Sequence, residues 1–305
     1  MRSWMAVAAA SALLAAPPAG KTPERLRVPF WIVGESGAAT VQAKLNGDPA
    51  KVLRLQGPGD DLVVLLILDL AGDLSLVDPA RHSLIESMPK ALDRAGIALM
   101  SSQDGALKVL ADPGTAHEKI GPIIEGLNIA GRAGLLDTVE TAAQLGDSIL
   151  GKAKVRVAVF YVTDSSIGNY REDYTNPVVN SGDARDLSRR FPEGIIKEKF
   201  QQLRARIAAT QAPLFIVHLD HRNDQLNEAY QTGLLELATV TGGAAEFCRS
   251  VADIPATIEK TLATIAAMRS AEIEGAPAKT RQLHVELTAE GGELRYRNSF
   301  AAKGK

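Results

Sequence analysis

The sequence is poor in cysteine, in aromatic residues and in excess charge of either sign. Its one cysteine, Cys248, excludes an intrachain disulfide and a cysteine-rich metal site. Aromatic residues make up 5% of the 305 residues, and the formal net charge is -2. A nucleic-acid-binding protein needs a basic face, so nucleic acid is not an expected partner. The remaining composition, 46% hydrophobic and 23% charged, is that of a globular chain with one large domain and a small attachment.

The N-terminus has the pattern of a secretory signal peptide. Arg2 supplies a positive start, the short apolar run 4–16 (WMAVAAASALLAA) follows, and Pro17 and Pro18 end it. This run is too short for a comfortable membrane span. We therefore predict that residues 1–19 are a signal peptide, that no transmembrane span remains after its removal, and that the protein is exported to the periplasm or the extracellular space.

Beyond residue 60 the patterns of strand and helix alternate. Continuous Val/Ile/Leu runs predict buried strands at 62–69, 155–164 and 214–219. The intervening segments predict helices at 79–95, 115–127, 135–150, 192–209, 226–240 and 254–268, and short strands at 96–101, 106–110 and 244–247. Asp78 is the expected N-cap of the first helix. The pattern favours an α/β fold over residues 60–270, a doubly wound, mostly parallel sheet with helices on both faces.

The two ends of the chain have shorter, alternating patterns. Strands are predicted at 25–33 and 41–45, within an N-terminal β segment at 20–59. Two more strands, 282–287 and 293–296, predict a hairpin within a C-terminal segment at 271–305. We expect the two ends to pair as a small β attachment with one solvent-facing side.

Acidic residues stand at the ends of two predicted buried strands. The run VVLLIL leads into Asp69, and the strand that begins at Val155 leads into Asp164. In an open α/β sheet, ligands bind beyond the carboxyl ends of the strands, where the strand order reverses. The pair could hold a hard divalent cation there, or each aspartate could cap the turn that follows it.

In these residues the chain resembles the von Willebrand factor type A family, whose strand-end motif is Asp-x-Ser-x-Ser. The segment 69–73 (DLAGD) lies where that motif belongs, and Asp164 matches the second acidic strand end. The segment 234–247 (LLELATVTGGAAEF) resembles the family's last helix, double-glycine turn and final strand. The flanking segments 45–48 and 294–297 resemble bacterial VWFA-related proteins of the Acidobacteria type. The resemblance covers about residues 60–270 and implies a von Willebrand A fold.

The chain departs from the family at its metal-ion-dependent adhesion site. The family uses two aspartates, two serines and a threonine there; this sequence has Ala71 and Asp73 at the serine positions and Ala133 near the threonine position. What remains is an acidic cluster of Asp69, Asp73 and Asp164. The resemblance therefore implies a degenerate metal site and no required cofactor, with Mg²⁺ or Ca²⁺ binding as the alternative.

Other chemistry finds little support in the sequence. There is no Gly-x-Ser-x-Gly elbow and no Gly-x-Gly-x-x-Gly turn after an early strand. His218 is expected to be satisfied by backbone groups. The loop after Asp164 carries Tyr170, Arg171 and Tyr174, residue types that are enriched in protein interfaces.

The sequence thus predicts an exported, non-enzymatic protein that binds another macromolecule, a protein or a cell-surface component. Two alternatives stay open. One is a metal-dependent adhesion module of the same fold. The other is an exported α/β enzyme in which Asp69, Asp73 and Asp164 hold a catalytic metal.

Overall fold

The computed structural model describes residues 23–34, 40–129, 131–170, 192–277, 280–290 and 292–302, and within them it contains two β-sheets. The strands are β1 (Glu24–Val33), β2 (Val41–Leu45), β3 (Asp48–Gln56), β4 (Leu62–Asp69), β5 (Gly96–Gln103), β6 (Ala106–Ala111), β7 (Arg156–Thr163), β8 (Leu214–His218), β9 (Ala244–Phe247), β10 (Arg269–Gly275), β11 (Gln282–Ala289), β12 (Glu293–Tyr296) and β13 (Ser299–Ala301). The helices are α1 (Leu74–Ala91), α2 (His117–Glu125), α3 (Leu135–Lys152), α4 (Pro192–Ile207), α5 (Gln225–Thr241) and α6 (Ile254–Ala266).

The first sheet has six strands in the order β6-β5-β4-β7-β8-β9, and all pairs except β5–β6 are parallel. Strands β4 and β7 lie at its centre, with Asp69 opposite Thr163 in the register. The chain runs outward from β4 to β6 and then returns to β7 on the other side, so the strand order reverses between β4 and β7. This confirms the predicted doubly wound sheet and puts both acidic strand ends at the reversal.

Helices cover both faces of this sheet, which explains the unbroken apolar runs of its strands. Helices α1, α2 and α6 pack on one face, and α3, α4 and α5 pack on the other. The four residues Leu65, Leu66, Ile67 and Leu68 of β4 are at most 1% exposed. Full burial of such a side chain contributes about 2 kcal/mol. Alternate residues of β4 therefore contribute to the two separate cores that hold the layers together.

The start of α1 corrects one prediction. The helix begins at Leu74, capped by Asp73, whose side chain accepts the Ser75 backbone N–H at 3.0 Å. Asp78 is inside the helix and does not cap it. Both Pro79 and Pro89 lie within α1, where each removes one intrahelical N–H donor.

The predicted hairpin between β5 and β6 is confirmed. Its turn residues Asp104 and Gly105 both have positive φ, 53° and 74°. Two-residue hairpin turns of this kind match the right-handed twist of the flanking strands.

The second sheet has seven antiparallel strands in the order β12-β1-β10-β3-β2-β11-β13 and combines both ends of the chain, as predicted. Strands β3, β10 and β13 were not predicted from the sequence. The first and last strands of this order are joined by two residues only, Arg297 and Asn298. The two edges therefore meet, and the sheet closes on itself around a core that includes Val28, Phe30 and Phe300.

The pairing of β12 corrects the predicted C-terminal hairpin. Strand β12 pairs with β1, not with β11, and it is β13 that pairs with β11. The segment 293–301 thus pairs first with β1 and then crosses to β11 at Asn298, whose carbonyl accepts the Val285 N–H at 2.8 Å. Pairing β12 with β1 completes the closed sheet, which a simple hairpin would leave open.

A buried arginine joins the two sheets. Arg156, 2% exposed, donates to the carbonyl oxygens of Ala266, Met268 and Asp60, with the closest at 2.6 Å. The burial lowers the pKa of its guanidinium. The main-chain contacts tie the β3–β4 connection to the α6–β10 connection, so the sheets form one body.

Within the residues described above, none of the helices combines the length and the apolar character that crossing a bilayer requires.

Candidate functional site

Asp69 ends β4 in a fully buried position. Its Oδ1 accepts the Gly134 N–H at 2.7 Å, and its Oδ2 accepts the Thr163 hydroxyl at 2.9 Å. The pKa of this carboxyl is raised to about 7, mainly by burial and to a lesser degree by the nearby charge of Asp164, and these hydrogen bonds partly oppose the rise. Asp69 therefore ties the loop before α3 to the centre of the sheet.

A chain of hydroxyl groups continues from Asp69 into the domain. Thr163 uses its only hydroxyl proton on Asp69, so the Ser165 hydroxyl donates to Thr163 at 2.6 Å. By the same reasoning, the Tyr230 hydroxyl donates to Ser165 at 2.7 Å. All four side chains are buried. A buried network whose groups are all satisfied fixes a single arrangement, and this one connects β4, β7 and α5.

Asp164 holds the loop between β4 and α1. Its Oδ1 accepts the Ala71 N–H at 2.6 Å, and its Oδ2 accepts the N–H groups of Gly72 and Asp73 at 3.2 and 3.1 Å. The side chain is 7% exposed. Three successive backbone donors converge on one carboxylate, so the aspartate acts as an anchor for the loop, which is the capping alternative considered from the sequence.

The third acid, Asp73, has a separate task. It is exposed and caps α1, and its Oδ1 also accepts the Ser75 hydroxyl at 2.6 Å. The structure thus brings Asp69 and Asp164 together through Thr163 and the loop 71–73, and it uses Asp73 for the helix.

These donors do not fit a divalent ion bound in the family's manner. Ala71 and the buried Ala133 offer no side-chain oxygen, and the carboxylates of Asp69 and Asp164 are engaged with N–H and O–H donors. Among the described residues, no group of three His, Cys, Asp or Glu side chains is arranged to hold a metal. A hard cation needs about six oxygen ligands, so the set Asp69, Asp73 and Asp164 is short of neutral donors. The assignment of these three residues to a degenerate metal site stays a prediction.

His218 ends β8 beside this network. Its Nε2 lies 2.6 Å from the Ser165 carbonyl oxygen, which makes Nε2 the protonated nitrogen. Burial lowers the pKa of the ring to about 4, and Nδ1 finds no hydrogen-bond partner among the described residues. The histidine is neutral near pH 7 and is satisfied by the backbone on one side, as expected from the sequence.

The loop after Asp164 is described only in its first part. Ile167–Tyr170 forms a 3-10 turn, and the Ile167 N–H donates to the Asn227 side chain at 2.9 Å. Arg171 and Tyr174, predicted with Tyr170 as partner-binding residues, lie outside the described residues. The predicted role of the three therefore stays a prediction.

Sequence reasoning missed the partners of the two aspartates. Thr163 and Ser165 flank Asp164 and could have been suspected from the run Thr-Asp-Ser-Ser, since hydroxyls next to a strand-end acid are natural donors. Tyr230 reaches the network from a helix 65 residues farther along the chain, and no local pattern signals it.

No family model matches the chain, and no curated protein matches it in sequence. Similar solved structures include proximal thread matrix protein 1 from the mussel byssus, at 11% identity and a TM-score of 0.41, with 70% of this chain and 50% of that one covered. The D319A mutant of the PilB minor pilin from Streptococcus sanguinis has 11% identity and a TM-score of 0.46, with 68% and 62% covered. A von Willebrand factor type A protein from Catenulispora acidiphila has 9% identity and a TM-score of 0.43, with 94% and 75% covered.

This chain thus spans half of the first of these proteins and less than two thirds of the second. The fold itself carries the assignment. The central strands β4 and β7, the one ending in Asp69 and the other followed by Asp164, lie side by side at the reversal of a doubly wound sheet. Helix α5, the double-glycine turn and β9 follow one another in the order that the resemblance implies for residues 234–247. The central domain of this chain has a von Willebrand factor type A fold.

Proposed function

We propose that this protein is an exported, non-enzymatic binding module that recognises another macromolecule with the carboxyl end of its parallel sheet. The observation that supports the proposal is the main-chain anchoring by Asp164 and Asp69. Their carboxylates accept backbone N–H groups from the loops 71–73 and 131–134, on the side of these loops that faces the core. The acids are thereby turned toward the protein's own backbone, and the loops above them form a fixed surface.

A fixed surface suits binding because a loop that is already ordered loses little conformational entropy when a partner docks. The loops at this end come from three different connections, β4–α1, α2–α3 and the one after β7, and the buried chain from Asp69 to Tyr230 joins two of them to the core. Ligands of open α/β sheets bind at this end.

Leu74 offers a direct probe of this surface. It is the first residue of α1, it follows the anchored loop, and its side chain is 56% exposed. Leu145 on α3 is an exposed leucine away from this end, at 38%. A photoreactive amino acid at each position compares the proposed face with a flank of the same domain.

The experiment exposes each labelled protein to an envelope extract, irradiates it and identifies the adducts by mass spectrometry. We expect a specific adduct from position 74 and none of that identity from position 145. Leu74→Arg should weaken capture of the same partner by at least tenfold, because a hydrophobic contact is replaced by a buried charge. Leu145→Arg should leave capture unchanged.

Three results would contradict the proposal. Equal adducts from both positions would show that the carboxyl end is not selective. Capture that is undiminished by Leu74→Arg and by Tyr170→Ala with Tyr174→Ala would move the interface away from this end. A turnover activity that is lost with Asp69→Asn, while the fold persists, would replace the binding module with an enzyme.

Export is tested separately. The signal-like N-terminus predicts that the protein recovered outside the cytoplasm lacks about 16 to 20 residues. N-terminal sequencing of that protein measures the cleavage, and an intact N-terminus on the cytoplasmic protein would contradict it.

A further inference from the structure

A second concave site lies at the opposite end of the parallel sheet. It is a cleft of about 960 Å³ between the two sheets, and its wall includes Ala208, which precedes β8, and the Gly242–Gly243 turn, which precedes β9. These are the amino ends of the strands, so the cleft is separate from the aspartates. The crossing segment 295–299 of the closed sheet forms the facing wall. Ligand sites are common at such junctions between two structural units.

The cleft is strongly basic. Four arginines line it, Arg204, Arg281, Arg295 and Arg297, and no Asp or Glu occurs among its described lining residues. Arg204 is partly offset by Glu236 of α5, 3.8 Å away, in an exposed ion pair. This concentration contrasts with the chain as a whole, whose net charge is -2. Charges of one sign inside a concave, low-dielectric wall focus the potential and attract ligands of the opposite sign.

Arg297 contributes a charge that its hydrogen-bond partners do not neutralise. Its Nη1 donates to the Thr210 carbonyl at 2.8 Å, and its other nitrogens donate to the carbonyls of Ala208 and Ser299. The side chain is 7% exposed and stacks on the Phe300 ring at 4.1 Å. Carbonyl oxygens satisfy the N–H groups but carry no full negative charge. Burial lowers the pKa of the guanidinium to about 10, with Asp147 acting in the opposite direction, so the group is charged at neutral pH.

Arg295 is held in place by an aromatic ring. Its guanidinium carbon lies 4.8 Å from the centre of the Trp31 ring, and Trp31 is itself fixed by donating its Nε1–H to the Thr264 carbonyl at 2.8 Å. Stacking fixes the plane of a guanidinium and leaves its edge donors available for a carboxylate. Trp31 thus keeps Arg295 pre-organised within the cleft.

The rest of the cleft wall is largely apolar or uncharged. Ala205 and Val240 come from the helices, and Tyr296 comes from β12. The space exceeds what an inorganic anion fills and lies at the upper end of the range for organic ligands. Arginines next to apolar positions suit a peptide that carries acidic side chains among less polar ones.

We propose that this cleft is a second binding site, which takes an acidic peptide segment of a partner protein. The carboxylates pair with Arg281 and Arg295, and the field of Arg297 reinforces them. The peptide backbone lies along the apolar wall formed by α4 and α5. The inference is independent of the carboxyl-end face, because the two sites share no residue.

Trp31 provides the readout. The sequence has two tryptophans, Trp4 and Trp31, so the full chain carrying Trp4→Phe reports fluorescence from the cleft alone. Hexaglutamate is the probe, hexaglutamine is the neutral control peptide, and inorganic phosphate is the small-anion control. We expect a saturable fluorescence change with hexaglutamate, confirmed by titration calorimetry. The affinity should fall as salt concentration rises, since the contacts are charged.

The variants locate the binding. Arg281→Gln with Arg295→Gln should weaken hexaglutamate binding by at least tenfold, because two charge-assisted contacts are lost. Arg94→Gln, on an exposed arginine outside the cleft, should bind like the parent. The thermal midpoints of all proteins are compared to show that they are equally folded. If the double variant is destabilised, the hexaglutamate affinity of Arg281→Gln alone tests the proposal, since Arg281 is exposed and its replacement should not affect folding.

Three outcomes would overturn the proposal. The first is equal affinity for hexaglutamate and hexaglutamine. The second is phosphate binding as tight as hexaglutamate binding, which would make the cleft a small-anion site. The third is unchanged hexaglutamate affinity in the folded arginine variant.

Discussion

The two ends of the parallel sheet use buried charge in opposite ways. At the carboxyl end, Asp69 and Asp164 accept hydrogen bonds from backbone N–H groups and neighbouring hydroxyls and are covered. At the amino end, Arg297 donates to backbone carbonyls, but it lines an open cleft together with other arginines. Both charges fix irregular segments through the main chain. At the amino end the buried charge also belongs to the wall of a cleft that other arginines share.

The comparison separates structural charge from charge that is offered to a ligand. A carboxylate whose oxygens receive N–H donors from the chain stabilises a loop, and any binding then belongs to the surface above it. Neutral main-chain partners do not cancel a charge of either sign, and Arg297 differs because it lines a cleft together with other arginines. Removing a buried group at the carboxyl end should therefore lower the free energy of unfolding more than removing Arg297 at the amino end.

Removing the Asp164 anchor should have the largest effect. In Asp164→Ala the N–H groups of Ala71, Gly72 and Asp73 lose their common acceptor, so we expect the free energy of unfolding to fall by about 4 kcal/mol. Urea unfolding measures this loss. Asp164→Asn keeps one acceptor oxygen and should lose clearly less. A loss below about 1 kcal/mol in the alanine variant would show that the anchor is dispensable.

His218, at the carboxyl end of the sheet, should make the free energy of unfolding depend on pH. Its pKa is near 4 in the folded protein and 6.5 as the reference, so the unfolded chain takes up the proton first as the pH falls. The contribution of the neutral His218 to the free energy of unfolding is fully present above pH 6.5. It is lost progressively as the pH falls to 4, a total of about 3 kcal/mol.

The measurement compares urea unfolding of the parent and of His218→Gln between pH 7 and pH 4. Asp69, whose pKa is raised, acts in the opposite direction, but it is present in both proteins and cancels in the difference. His82→Gln, on an exposed histidine, is the control. Parallel curves for the parent and His218→Gln would contradict the prediction.

Arg297→Met should cost about 2 kcal/mol, less than the loss of Asp164. The variant keeps the stack on Phe300 in part but leaves the carbonyls of Ala208, Thr210 and Ser299 without their donor. Carbonyls tolerate the loss of one partner better than N–H groups do. Thermal and urea unfolding measure the effect, and Arg297→Lys should recover part of it. A larger loss than in Asp164→Ala would reverse the comparison between the two ends.

The smallest effects are expected at Asp73 and with Mg²⁺. Asp73→Ser exchanges one good N-cap for another, so the stability should change by no more than about 0.5 kcal/mol. Millimolar Mg²⁺ should leave the melting temperature of the parent unchanged, because the donor set is short of oxygen ligands. A rise of several degrees that disappears in Asp73→Ser would restore the metal-dependent alternative.

The sequence predicted the central sheet and the two acids because both depend on local patterns. The run 62–69 is apolar without a break, and strands buried on both faces show this directly. The position of Asp164 next to the loop 71–73 then follows from the parallel pairing of β4 and β7. The predicted start of α1 is wrong because Pro79 is typical of a first helical turn, whereas Asp73 caps the helix five residues before the predicted cap, Asp78.

The closed sheet and the cleft could not be predicted because they depend on distant partners. Strand β3 is half-exposed with alternating burial, and β10 follows α6 almost without a break, so neither stands out as a separate apolar run. The ion pair of Arg25 with Glu274 spans 249 positions. The stack of Arg295 on Trp31 likewise joins the two ends of the chain. No short-range pattern encodes such contacts.

The closed sheet also sets an order of assembly during translation. Strand β1 is among the first parts of the described chain to be made, but its neighbours β10 and β12 are among the last. At roughly 5–20 residues per second, ribosomes take on the order of ten to fifty seconds to reach β10 after β1. Throughout that interval Val28 and Phe30 have no finished sheet to enter. The parallel sheet, whose strands lie between these two ends of the chain, can form first, and the N-terminal strand waits for the C-terminal one.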